Sequence, residues 1–120
     1  VDDECMPTEL VVKTAAMNRS AGFPVHGSNL DNVFTGFNGH ATVTWPELSA
    51  KANISTSSNC KFLVIYSPKN ENFFCFEPVT HSTDAINMAK KGIENTGITA
   101  LKPNEAMSIS MKISPEAFVI

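Results

Sequence analysis

A membrane-crossing helix needs about 20 consecutive apolar residues, and no stretch of this chain approaches that length. Its start, Val1-Asp2-Asp3-Glu4, lacks the basic and apolar regions of a secretory signal. Arginine is nearly missing, since Arg19 stands alone. The lysines are scattered, only Lys90 and Lys91 are adjacent, and the formal net charge is −3. With no basic stripe to neutralise phosphates, neither nucleic acid nor an anionic membrane is expected as a partner. The three cysteines, Cys5, Cys60 and Cys75, lack the close pairing of a zinc site, and their odd number leaves at least one unpaired. Cys75 lies inside an apolar run, where a free thiol behaves as a small hydrophobe. These thiols favour a reducing compartment and point to the cytoplasm. Glycine-rich phosphate loops, nucleophile-elbow serines and metal-ligand clusters are absent as well, so no cofactor and no metal is expected.

What remains is an ordinary folded composition. With 120 residues, 42% hydrophobic and 18% charged, the chain is one domain at most and long enough to bury a core. It lacks an initiator methionine, which is expected of a piece of a longer domain.

Strand patterns dominate. Glu9 to Thr14 is a short β-rich run after Pro7. His40 to Trp45 alternates, with Ala41, Val43 and Trp45 on one face and Thr42 and Thr44 on the other. Ala50 to Ser57 alternates too, with Ala52 and Ile54 inward, and Pro46-Glu47-Leu48-Ser49 between them reads as a hairpin connection. Lys61 to Tyr66 is continuously apolar after its first residue and fits a strand covered on both faces. Met107, Ile109, Met111 and Ile113 alternate with serine and lysine, the pattern of a half-buried strand. Phe37-Asn38-Gly39 and Lys102-Pro103-Asn104-Glu105 supply turn residues that accept positive φ. Ser20 to Asn32 has no periodicity and reads as an irregular loop. Thr83 to Lys91, stopped by Gly92, is the one helical candidate. Strands joined by short links predict an all-β, mostly antiparallel sandwich.

The segment Phe73 to Asn87 carries the chemistry. An aromatic run ends in Glu77, locked against Pro78, and Thr80, His81, Thr83, Asp84 and Asn87 follow closely. A carboxylate at the end of so apolar a run is expected to be partly dehydrated. Dehydration makes a carboxylate hold its proton more tightly, which suits a general base working near neutral pH. The bland alternative is a strand-end glutamate bonded to the next loop. Glu77 and Asp84 form a glycosidase-like carboxyl pair only if they flank a cleft. Trp45 is able to stack on a sugar but lies on the Ala41–Val43 face, which reads as core.

Phe74-Cys75-Phe76-Glu77-Pro78-Val79-Thr80-His81, followed by Asp84-Ala85-Ile86-Asn87, Gly97-Ile98 and Leu101-Lys102-Pro103-Asn104-Glu105, resembles the C-terminal signature of the aldose 1-epimerase (galactose mutarotase) family. Gly27 to Gly36, with Asp31 before Phe34, resembles that family's aspartate loop. The likeness covers about Pro7 to Ile113. It departs at Asn104, where the family usually has glycine, a change that a left-handed turn tolerates. The resemblance implies the C-terminal part of a galactose-mutarotase-like β-supersandwich that acts on a free aldohexose without a cofactor. It implies that Glu77 is the catalytic base and that Asp31 binds sugar hydroxyls. His81, four residues after Glu77, is placed as a further substrate contact, or else as an orienting bond within its loop. The family takes its acid and a second sugar-binding histidine from the half preceding this segment, and neither His26 nor His40 matches those motifs.

Two other readings compete. A hexose-6-phosphate 1-epimerase calls for arginine contacts to phosphate, for which this chain offers only Arg19. A non-catalytic carbohydrate-binding sandwich would keep Asp31 and tolerate loss of the Glu77 charge. Half a sandwich would leave sheet edges and an apolar face uncovered, so self-association is also expected.

Overall fold

The computed structural model describes residues 22–119. The strand expected over Glu9 to Thr14 lies outside them. Six strands form two antiparallel three-stranded sheets. The first holds β1 (Asp31–Thr35), β4 (Phe62–Tyr66) and β5 (Cys75–Val79), with β4 in the middle. The second holds β2 (His40–Trp45), β3 (Ala50–Thr56) and β6 (Met111–Ala117), with β3 in the middle. One short helix, α1 (Ala85–Lys90), lies between β5 and β6. The all-β, antiparallel expectation holds.

The alternation read from sequence places the core. Ala52 and Ile54 of β3 are buried, and in β4 both Phe62 and Ile65 are buried on opposite faces, as a central strand requires. Aromatic pairs mark the inner surfaces of the two sheets. The Trp45 ring lies 6.4 Å from that of Phe74, and Phe76 meets Phe37 edge-on at 6.2 Å. Because side chains alternate, Phe74 and Phe76 face inward while Phe73, Cys75 and Glu77 face outward. Trp45 is thus an inner-face residue at the sandwich margin, partly exposed rather than enclosed.

The β2–β3 hairpin follows the expected route. Pro46 to Leu48 makes a single 3-10 turn, and Ser49 closes it at φ 47° with its N–H on the Pro46 carbonyl. The Lys102 turn also forms, with Asn104 at φ 69° and the Glu105 N–H on the Lys102 carbonyl at 3.0 Å. The predicted helix is present, shorter at both ends.

Three expectations need correction. Asp31 opens a strand rather than sitting in a loop. Asp-Asn is a poor strand former, and β1 exists because it pairs with β4 from Asp31 opposite Tyr66 to Thr35 opposite Phe62. The strand expected from Met107 begins only at Met111 and continues through Pro115 to Ala117. Its partner β3 ends at Thr56, and the chain turns at Ser57, where the Cys60 N–H meets the Ser57 carbonyl at 3.1 Å. Residues before Met111 are left with isolated bonds, such as Asn59 Nδ2 to the Ser108 carbonyl at 2.9 Å. The face expected to be half buried is also open: Met107, Ile109, Met111 and Ile113 are all exposed.

Thirdly, Glu77 does not end its strand, because β5 runs through Pro78 to Val79. Proline lacks an N–H, so a strand admits it where that donor would face away from its neighbour. In β1–β4 the Ser67 N–H bonds the Leu30 carbonyl, so odd-numbered residues of β4 bond β1 and even-numbered ones bond β5. Glu77, opposite Val64, therefore exchanges backbone bonds, whereas Pro78, opposite Leu63, turns its nitrogen to the open edge. The same logic admits Pro115. Bonds from the Ser57 N–H to the Ser110 carbonyl and from the Phe118 N–H to the Ser49 carbonyl aim even-numbered residues of β6 at β3. One edge strand of each sheet, β5 and β6, thus carries a proline that blunts pairing with another strand.

Candidate functional site

The outer face of the first sheet brings together two of the residues singled out from sequence, Asp31 and Glu77. Register sets Asp31, Tyr66 and Cys75 in one row, Val33, Val64 and Glu77 in the next, and Thr35, Phe62 and Val79 in the third. All nine side chains leave the same side of the sheet. Asp31 and Glu77 lie two strands and two residues apart. At about 4.8 Å per strand and 3.4 Å per residue, their Cα atoms are roughly 12 Å apart.

The two ends of this face differ. At the third row, Phe62 is buried because the chain returning from α1 crosses over it. The Ser82 N–H bonds the Thr96 carbonyl at 2.9 Å, and Gly97, at φ +79°, lies against the Phe62 ring, the Thr80 carbonyl and the His81 backbone. The rows of Asp31 and Glu77 stay open. Glu77 is exposed, contrary to the partly dehydrated position expected for it. The cause is the strand continuity through Pro78: a residue inside β5 on the outer face points to water, not into a strand-end hollow.

His81 stands at the far end of β5, beyond the third row, and is exposed. Its Nδ1 is hydrogen-bonded to Thr80 Oγ1 at 2.9 Å, the orienting bond within the loop. It shares no row with Asp31. His40 begins β2 in the other sheet. His26 sits in a loop fastened to the end of β4, where Ser67 Oγ donates to the Val25 carbonyl at 2.8 Å and Ser28 Oγ donates to it at 2.6 Å. That tether brings His26 to the Tyr66 end of the site, a placement invisible in sequence because it depends on a contact between residues 42 apart.

The Asp84–Asn87 pair has a structural part. Asp84 adopts a left-handed conformation at φ 57° just before α1, and Asn87 Nδ2 donates to Asp84 Oδ1 at 2.6 Å. This closes the first turn and seats Ala85 and Met88, both buried. Replacing Asn87 with alanine should lower stability by about 0.5 kcal/mol or less, as for loss of an exposed side-chain hydrogen bond between residues three apart on a helix, read from the urea midpoint. Turnover by the whole protein should not change, since Asn87 belongs to α1 and to none of the rows that hold Asp31 and Glu77.

No helix among the described residues is long and apolar enough to cross a membrane. No curated protein and no solved structure gives a significant match to the chain. The family model described as Aldose 1-epimerase matches residues 1–114, nearly the whole chain and all three strands that build the outer face. By that match, this chain belongs to the aldose 1-epimerase family.

Proposed function

We propose that the chain belongs to a mutarotase that interconverts the α and β anomers of a free aldohexose. The observation that carries the reading is the joint placement of Asp31 and Glu77 on one face of the first sheet, in adjacent rows. Glu77 takes the proton from the C1 hydroxyl while an acid protonates the ring oxygen. The C1–O5 bond breaks, the aldehyde rotates about C1–C2, and closure on the other face gives the second anomer. Asp31, an acceptor of two hydroxyl bonds when ionised, holds the far end of the sugar. Backbone bonds exchanged with Val64 fix the base in place, which is worth more for catalysis than contact alone. The bound sugar itself supplies the dehydration that the exposed carboxylate lacks without it.

The acid is assigned to a histidine outside this chain, as the family resemblance implies: His40 and His81 stand apart from the Asp31–Glu77 patch, and His26, though tethered at its Tyr66 end, does not match the family's histidine motifs. The uncovered stripe of Met107, Ile109, Met111 and Ile113 supports the same reading. We place the chain as the C-terminal part of a larger sandwich whose remainder covers that stripe. Prepared alone, the chain should then self-associate through the stripe in a concentration-dependent way, measured by sedimentation velocity. A clean monomer at high concentration would identify a complete small domain. Free Cys60 and Cys75 fit a cytoplasmic setting.

Polarimetry of freshly dissolved α-D-glucose or α-D-galactose, with the protein expressed over its whole reading frame, tests the activity. A specific observation favours one competing reading: an exposed Glu77 is also what a non-catalytic sugar-binding sandwich would show. In that case optical rotation would relax no faster than in buffer while the sugar still bound.

A further inference from the structure

Two aromatic side chains beside Asp31 have no part in the core. Tyr66 occupies the row between Asp31 and Cys75, and Phe73 precedes Cys75 by two residues. Their ring centroids are 6.3 Å apart with the planes inclined by 54°, so the pair forms an open wedge on the outer face. Tyr66 is 37% exposed and Phe73 is 53% exposed. The contrast with the neighbouring phenylalanines is informative. Phe74 meets Trp45 and Phe76 meets Phe37 on the inner side, which leaves Phe73 no packing role between the sheets. Large rings left in water are costly, because each has much apolar area to bury.

Resting on the mutarotase reading, we propose that Tyr66 and Phe73 form the stacking platform for the pyranose ring and so determine how the sugar lies between Asp31 and Glu77. A pyranose carries hydroxyls around its rim and C–H bonds on its faces. The rim suits carboxylates, and the faces suit the electron-rich surface of an aromatic ring. Tyr66 lies directly across from Asp31, at about 4.5 Å between Cα atoms for a pair without mutual backbone bonds. A ring resting against Tyr66 presents hydroxyls at one end to Asp31 and extends along β5 toward Glu77, with Phe73 supporting the end on the other side of Cys75 from Glu77. Contact through ring C–H bonds away from C1 does not depend on anomeric configuration. An enzyme that must hold both anomers in one orientation needs a contact of that kind.

The test uses the protein expressed over its whole reading frame and D-galactose as the probe, with two separate readouts. Saturation-transfer NMR with irradiation of the aromatic protons reports contact between platform and sugar. Polarimetry reports turnover. In the wild type, saturation should reach the sugar ring C–H protons, and Phe73→Ala and Tyr66→Ala should each reduce it at least about threefold. Their KM values should rise by about five- to tenfold with kcat changed less than about twofold, the pattern for a contact made equally in ground and transition states. Phe73→Leu keeps apolar bulk without a π face and should behave like Phe73→Ala. Saturation undiminished in the Tyr66→Ala/Phe73→Ala double variant, or absent in the wild type, overturns the platform. So does a loss of solubility or stability in these variants with sugar contact intact, which would mark the rings as a seat for another part of the protein. The underlying reading fails separately: normal saturation with no acceleration of optical rotation leaves a sugar platform on a protein that is not a mutarotase.

Discussion

Replacing Glu77 with glutamine should lower the mutarotation rate at least about a hundredfold, the lower end of what a positioned general base contributes. That factor corresponds to about 2.7 kcal/mol of transition-state stabilisation. The substitution is well suited to the test because Glu77 is exposed and its backbone is fixed by Val64 rather than by its side chain. Glutamine matches glutamate in shape and keeps a hydrogen-bonding end, yet it cannot accept the C1 proton. The fold and the sugar contact should therefore survive, with unchanged urea midpoint and unchanged KM, while kcat falls. A glutamine variant within about twofold of the wild type would refute the role of Glu77. It would leave the sugar-binding sandwich as the better account, with Asp31 as its anchor. Asp31→Asn should show the opposite split, with sugar affinity reduced more than the rate at saturation.

How much of this is legible in the amino-acid sequence varies with where the information resides. The strand from His40 to Trp45 and its partner from Ala50 are readable residue by residue, because alternation is local and the Pro46–Ser49 turn fixes the register. The unbroken apolar run of β4 predicts cover on both faces, which holds at Phe62 and Ile65 but not at Tyr66, exposed on the outer face. Strand β1 is not, since Asp31 and Asn32 favour loops and only the ladder to β4 makes them a strand. Residues Met107 to Ser110 mislead in the other direction. Their alternation is sound, but periodicity does not tell whether a partner strand reaches that far. Glu77 is misplaced by sequence for a related reason. Pro78 reads as a strand terminus, whereas at an edge position it removes no ladder bond and the strand runs on. The juxtaposition of Asp31 with Glu77 is a property of the β1–β4–β5 order, which no local pattern encodes.

Gly97→Ala should be the most damaging small substitution among the described residues, at about 3 kcal/mol or more. Two costs add. The backbone at φ +79° lies in the left-handed region, where a Cβ costs about 1–2 kcal/mol. The new methyl would also drive into the Phe62 ring and the Thr80 carbonyl, with the His81 Cα at 2.9 Å. Overpacking of that kind adds about 1–3 kcal/mol, and backbone neighbours cannot step aside as a flexible side chain can. Gly92 separates the two costs, for it has φ +80° with nothing within 4 Å of an added methyl group, so Gly92→Ala carries the conformational cost alone. Asparagine sharpens the comparison because it tolerates left-handed backbone. Gly92→Asn should be nearly silent, while Gly97→Asn should be at least as harmful as Gly97→Ala. Urea midpoints of the four variants decide the matter. If Gly97→Ala falls within about 1 kcal/mol of Gly92→Ala, the crossing of residues 96–98 over Phe62 is not tight, and the site's third row is as open as the other two.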